Sequence, residues 1–120
     1  MLYSIFIRDR VGSGPDRVAA VEPHREYIKA RAHKILSAGA TFGRDGKTVE
    51  GGAYVVEADS YEDVESFVAN DPFTLAGIRE SVVIQPWIKA CFNGEFLIAT
   101  KPPGAPDVNE PLIAPESART

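Results

Sequence analysis

Short blocks of apolar residues alternate with polar turns along most of the chain, and the period of each block predicts an element. From Leu2 to Arg8 side chains alternate with period two: Leu2, Ser4, Phe6 and Arg8 share one face, Tyr3, Ile5 and Ile7 the other. This predicts a first strand. Neither face is cleanly polar, so both are expected to be covered. Asp9 to Asp16 holds Gly12, Ser13, Gly14 and Pro15 and reads as a loop. Ile28, Ala32 and Ile35 then recur at helical spacing, which predicts a helix running to about Ser37, with Gly39 as a C-cap signal. Its start has two readings: Asp16 caps an early turn, or Pro23 occupies the first helical position. His24 lies four residues before Ile28 and extends the apolar stripe. His33, nine residues after His24, points to the opposite side and into solvent.

Two strands follow, Ala40 to Asp45 and Gly51 to Ala58, joined by a hairpin at Asp45-Gly46. Ser60-Tyr61-Glu62-Asp63 has the form of a capping box. The helix it opens places Tyr61, Val64, Phe67 and Val68 on one face and stops at Asn70. Asp71 precedes Pro72, whose ring disfavours helical backbone at Asp71 and suits the first position of a new turn. A last strand is expected from Arg79 to about Ala90, with Pro86 marking an edge, a bulge or a break. From Asn93 the character changes. Phe96 to Ala99 reads as a short extra strand, Lys101 to Thr120 as a Pro-rich tail, and Pro111-Leu112-Ile113-Ala114-Pro115 as a segment able to dock.

The order strand, helix, strand, strand, helix, strand is the split βαβ arrangement. It predicts an α+β chain with a ferredoxin-like βαββαβ domain over residues 1–94, an antiparallel sheet, and a C-terminal extension over 95–120. Two helices cover one face of such a sheet, yet the strands are apolar on both. A second copy of the chain, packed sheet to sheet, is the economical cover, so a homodimer or a higher homo-oligomer is expected.

Composition narrows the function. At 120 residues the chain is one domain with an extension, and its formal charge of −4 and lack of a basic, aromatic-interleaved patch argue against nucleic-acid binding. One cysteine, Cys91, excludes an internal disulfide framework and fits a reducing, cytoplasmic setting. Met1 to Ile7 is too short for a signal peptide, and no segment is long enough to cross a membrane.

The candidate chemistry lies in two residues distant in sequence. Asp71 is either a helix cap or a positioned carboxylate, and His24 is either a packed histidine with a backbone partner or that carboxylate's imidazole. Arg8 is a candidate for binding an anionic substrate and Trp87 for walling a cleft; a solvated arginine and a core or interface tryptophan are the plain alternatives. Arg79 has the same two readings as Arg8, with solvent favoured; Tyr27 and Tyr54 are candidates for hydrogen-bonding a ligand, with packing favoured; and Cys91 reads as a buried structural thiol. Gly12-Ser13-Gly14 lacks the Gly-Lys-Ser/Thr ending of a phosphate loop. Two histidines on opposite sides of one helix cannot share an ion, so no metal site is expected.

These pieces resemble the YCII-related domain family of the dimeric α+β barrel superfamily. The likeness covers roughly Leu2 to Lys89. It rests on Pro23-His24-Arg25-Glu26-Tyr27-Ile28, Ala38-Gly39-Ala40, Tyr61-Glu62-Asp63-Val64, Asn70-Asp71-Pro72-Phe73 and Ala76-Gly77-Ile78. Asp-Pro-aromatic after the second helix is its most specific element. The resemblance implies a His and Asp pair beside the sheet, falling on His24 and Asp71. One characterised relative is a dehydrochlorinase acting on a chlorinated hydroxyhydroquinone, and muconolactone isomerase lies further away. The extension from Glu95 departs from the family pattern.

A carboxylate on one ring nitrogen fixes the imidazole tautomer and stabilises the imidazolium formed when the other takes a proton. This suits elimination or isomerisation of small ring compounds and needs no metal or organic cofactor. Two functions are therefore carried forward: a cofactor-independent lyase or isomerase acting on a small aromatic or lactone-like molecule, and a non-catalytic small-ligand-binding dimer. A haem or quinol oxygenase is less suited to the chain, which has no histidine at an axial-ligand position.

Overall fold

A computed structural model describes residues 1–97. Its described part divides into two compact units, Met1–Trp87 and a stretch beginning at Ile88. The first unit contains β1 (Leu2–Asp9), α1 (Gly14–Ala30), a 3-10 turn (Ala32–Lys34), β2 (Ile35–Phe42), β3 (Val49–Glu57), α2 (Tyr61–Ala69), α3 (Pro72–Leu75) and β4 (Arg79–Trp87). The sheet order is β2-β3-β1-β4, with every pairing antiparallel. The arrangement is ferredoxin-like α+β, as the element order implies.

Alternation along β1 decides which face is core. Tyr3, Ile5 and Ile7 are buried together with Tyr54 and Val56 of β3 and Val64 and Val68 of α2. Ile28 of α1 packs against this cluster. The opposite face carries Phe6 and Val83, paired across β1 and β4 and 55% and 49% exposed. β4 is an edge strand, so Pro86, opposite Tyr3, withholds a donor only on a side without a partner strand.

Caps set the helix ends. Ser60 Oγ accepts from Asp63 N–H at 3.1 Å and opens α2. Asp71 Oδ1 accepts from Phe73 N–H at 2.9 Å and opens α3, with Pro72 in its first turn. Both follow the expected pattern.

The first helix differs from expectation at both ends. It starts at Gly14 with Pro15 in its first turn, so Pro23 lies inside the helix and His24 near its middle. It stops at Ala30, not near Ser37. Ile35 and Leu36 begin β2, and Gly39 is a strand residue rather than a C-cap. The small residues Ser37 to Gly39 resemble a helix end in sequence, but here their backbone pairs with β3. β2 accordingly ends at Phe42, before the Asp45-Gly46 turn.

In the second unit β5 (Cys91–Phe92) pairs with β6 (Glu95–Phe96) across Asn93 and Gly94, both at positive φ. Cys91 is exposed, which corrects its reading as a buried thiol. The expected strand through Ala99 ends at Phe96 in the described residues. Ile98, Ala99, the Pro-rich tail and the Pro111 to Pro115 segment lie outside them. Among the described residues no helix is long and apolar enough to cross a membrane.

Candidate functional site

One face of α1 does not close onto the sheet. Arg17, Val21, His24 and Ile28 recur at spacings of four, three and four, so they share that face. None of α1's residues is fully buried. Opposite them, β2 and β3 present Ala38, Ala40, Gly51 and Gly52, whose small side chains leave a cleft of about 580 Å³. Small-molecule sites commonly measure ~300–1,000 Å³. Gly51 is required for a second reason: a Cβ there would stand 1.8 Å from the Ile7 carbonyl oxygen. A Cβ on Gly52 would meet the Tyr54 ring at 3.0 Å.

His24 and Asp71 meet at this cleft. His24 Nδ1 lies 2.8 Å from Asp71 Oδ1, with the His24 side chain 14% and the Asp71 side chain 1% exposed. The imidazole stacks on Phe73, ring centroids 3.8 Å apart and planes inclined by 12°. Three elements converge here. The middle of α1 brings the histidine, the Asp71-Pro72 break brings the carboxylate, and the first turn of α3 brings the ring beneath.

The carboxylate is ionised. Burial pushes Asp71 up, but the hydrogen bond from His24, the Arg79 guanidinium and the Phe73 N–H outweigh it and hold the group below its ordinary value. An ionised carboxylate only accepts hydrogen bonds, so the His24 proton resides on Nδ1. In the neutral imidazole the free lone pair is then on Nε2. Among the described residues nothing hydrogen-bonds Nε2, and no buried side-chain nitrogen or oxygen lacks a partner. Nε2 is therefore accessible, and His24 lines the cleft. The arrangement presents a base on one nitrogen and an anchored donor on the other.

Arg79 completes the cluster. Its Nη2 donates to Asp71 Oδ2 at 3.1 Å and to the Tyr54 hydroxyl at 3.4 Å, and its Nη1 to Thr74 Oγ1 at 2.9 Å. With its side chain 6% exposed, it is not the solvent-facing arginine the sequence suggests. Burial pushes the Tyr54 phenol up, against the pull of Arg79, so it stays neutral. Arg17 forms an ion pair with the buried Asp9 and sits 4.4 Å from the Phe73 ring centroid. Arg17 and Asp9 are cleft residues that sequence reasoning missed, and Arg79, a candidate for which solvent was favoured, lines the cleft with them. The available signal was a buried Asp-Pro carboxylate, which needs a counter-charge.

Other candidates lie elsewhere. Arg8 is exposed and shares the sheet face of Phe6, away from the face on which Ile7 lines the cleft. Trp87 pairs with Leu2 at the far end of β4 and does not line the cleft. Tyr27 donates from its hydroxyl to the Phe67 carbonyl at 2.7 Å, in keeping with packing. His33 is exposed, on the 3-10 turn rather than on α1. Among the described residues no group of three or more His, Cys, Asp or Glu side chains could hold a metal ion.

The YCII-related domain model matches residues 1–88. No curated protein matches. Among solved structures, the chain is similar to 5-chloro-2-hydroxyhydroquinone dehydrochlorinase (TftG) from Burkholderia phenoliruptrix AC1100, determined in complex with 2,5-dihydroxybenzoquinone. The two are 36% identical, with a TM-score of 0.67, over 72% of this chain and 93% of that one. A protein from Pyrococcus horikoshii is 15% identical, with a TM-score of 0.40, over 72% of this chain and 92% of that one. A protein from Bacteroides fragilis NCTC 9343, described as dimeric and ferredoxin-like, is 14% identical, with a TM-score of 0.39, over 69% and 89%.

Proposed function

The chain belongs to the YCII-related domain family, and on that premise we propose that it is a cofactor-independent lyase or isomerase acting on a small hydroxylated ring compound, with His24 as general base and acid and Asp71 as its orienting partner. One observation carries this reading: the 2.8 Å contact between His24 Nδ1 and the buried Asp71 carboxylate, at a cleft of small-molecule size. The similarity to a dehydrochlorinase supports the class of chemistry.

The reaction follows from the tautomer. Nε2 removes a proton from a ring hydroxyl as the imidazolium forms against Asp71. The electron pair released moves into the ring, and the ring carbon bearing the leaving group takes the proton back from the imidazolium; a second ring hydroxyl then gives its proton to Nε2 as an anionic leaving group, such as chloride, departs from that tetrahedral carbon and a quinone forms. Proton and halide both leave, so no external electron acceptor enters the balance. In an isomerisation the same imidazolium returns its proton to another atom. Such positioned bases contribute about 10²- to 10⁴-fold.

The test is chloride release from a chlorinated hydroxyhydroquinone by the wild type, His24→Ala and Asp71→Asn. Wild-type release, abolished in His24→Ala and reduced in Asp71→Asn, is the expected result. Full turnover in both variants overturns the assignment. A ligand that binds the cleft and is never consumed moves the non-catalytic binding module ahead.

The assembly we propose is a homodimer, since Phe6 and Val83 are exposed apolar residues on the sheet face that no helix covers among the described residues. A dimeric mass by light scattering at micromolar concentration is expected, and a monomeric mass rules the dimer out.

A further inference from the structure

We propose that Arg79 is a positioning residue of this site: its guanidinium fixes the Asp71 carboxylate in place and, by neutralising it, weakens the carboxylate's pull on the His24 imidazole toward the charged form. Its bearing on catalysis rests on the function proposed above; its electrostatic content does not.

The geometry holds Arg79 from three elements. Thr74 of α3 accepts from Nη1, and its own hydroxyl donates to the Val68 carbonyl at 2.6 Å, so its lone pair is directed at the guanidinium. Asp71 and the Tyr54 hydroxyl both accept from Nη2. Planar guanidinium groups retain their charge at every pH a folded protein meets, so this cation is permanent.

Charge counting then gives the consequence. Asp71 alone, with its side chain 1% exposed, would be a naked anion beside an imidazole. A carboxylate in that position favours the charged imidazole, whose Nε2 already carries a proton and cannot take another. With Arg79 on its second oxygen, the pair beside His24 has no net charge. The Nδ1 proton is still anchored, while the pull toward imidazolium is reduced.

The remaining charged groups around His24 do not replace this effect. Asp9 of β1 and Arg17 of α1 neutralise each other. Arg25 and Lys29 of α1 are exposed, and Arg25 is paired with Glu22 at 3.1 Å. Exposed charges are screened by solvent and salt. The Tyr54 phenol of β3 is neutral. Arg79 is the buried cation in contact with Asp71.

The experiment is the NMR titration of the His24 imidazole in the wild type, Arg79→Met and Arg79→Lys. In Arg79→Met the midpoint should rise by about one pH unit, because Asp71 is no longer neutralised. In Arg79→Lys, which keeps the charge, it should return toward the wild-type value. An unchanged or lowered midpoint in Arg79→Met overturns the proposal. If that variant does not fold, the wild type decides. The Arg79 side-chain ¹⁵N resonance should move with the His24 midpoint, and a flat response there also overturns the proposal. Where turnover is found, the acid limb of the pH–rate profile should shift upward in Arg79→Met with the imidazole. Absence of turnover in the wild type would count against the proposed function and leave the titration result standing.

Discussion

Two aspartates sit at breaks in regular structure, Asp45 in the β2–β3 turn and Asp71 between α2 and α3. Both are held below their ordinary value, for different reasons. Asp45 is solvated, and hydrogen bonds from the Thr48 N–H and hydroxyl and the Lys47 N–H lower it to about 2. Asp71 is buried, and burial alone would raise it; His24, Arg79 and the Phe73 N–H reverse that sign. All of Asp45's partners lie within three residues, whereas one of Asp71's is 47 residues away. A local turn makes an acidic carboxylate without tertiary structure. A buried carboxylate stays ionised only when the fold delivers its partners, so its charge state reports on the fold and is available for chemistry.

The contrast can be broken by substitution. Asp71→Asn keeps an oxygen to cap α3 but leaves Arg79 buried against a neutral group. Removing one partner of a buried ion pair costs about 3–5 kcal/mol. Urea unfolding should therefore show a large loss of stability in this variant. The next effect is the acid dependence. Both aspartates have folded values below their unfolded ones, so each contributes stability that is full above the unfolded value and lost as pH falls through the folded one. For Asp45 that window runs from 3.8 down to about 2. Unfolding midpoints measured across this range should fall less steeply in Asp71→Asn than in the wild type, because one of the carboxylates that must be protonated is gone. The smallest effect is expected from Asp45→Asn. Faster amide exchange at Lys47 and Thr48, with the His24 resonances unmoved, is the outcome that keeps the two regions distinct.

The same contrast explains what could be read in advance. Local signals were legible. Ser60 three residues before Asp63, Asp71 before Pro72 and Asp45 before Gly46 each fix a cap or a turn through neighbouring backbone groups, and each is present in the structure. The alternation in β1 sorted its residues into two faces, and the structure makes the one with Tyr3, Ile5 and Ile7 the core. The order of elements identified the sheet. Less legible were positions decided by packing between elements. Ile35 fits the helical spacing of Ile28 and Ala32, but β3 takes the backbone from Ile35 onward. Pro23 fits a helix start, yet Pro15 occupies that role and α1 continues through Pro23.

The site divides along the same line. His24 and Asp71 were named as candidate partners, and the structure brings them together, but only their order in the chain and a family resemblance suggested it. Arg79 read as a solvated strand end because its partners come from β3, α3 and the break before α3. Arg8 and Trp87 carry suitable chemistry, but the alternation of β1 and the register of β4 take them away from the cleft face. Gly51 and Gly52 read only as the start of a strand, and in β3 they also line the cleft.

The central claim is that His24 and Asp71 act as one unit. Its most direct test is the imidazole titration of His24 in the wild type and in Asp71→Asn, with the exposed His33 as a control in the same tube. A paired carboxylate stabilises the imidazolium, so the His24 midpoint should fall in the variant while that of His33 stays fixed. A His24 midpoint indifferent to Asp71 would contradict the pairing and reduce Asp71 to a helix cap.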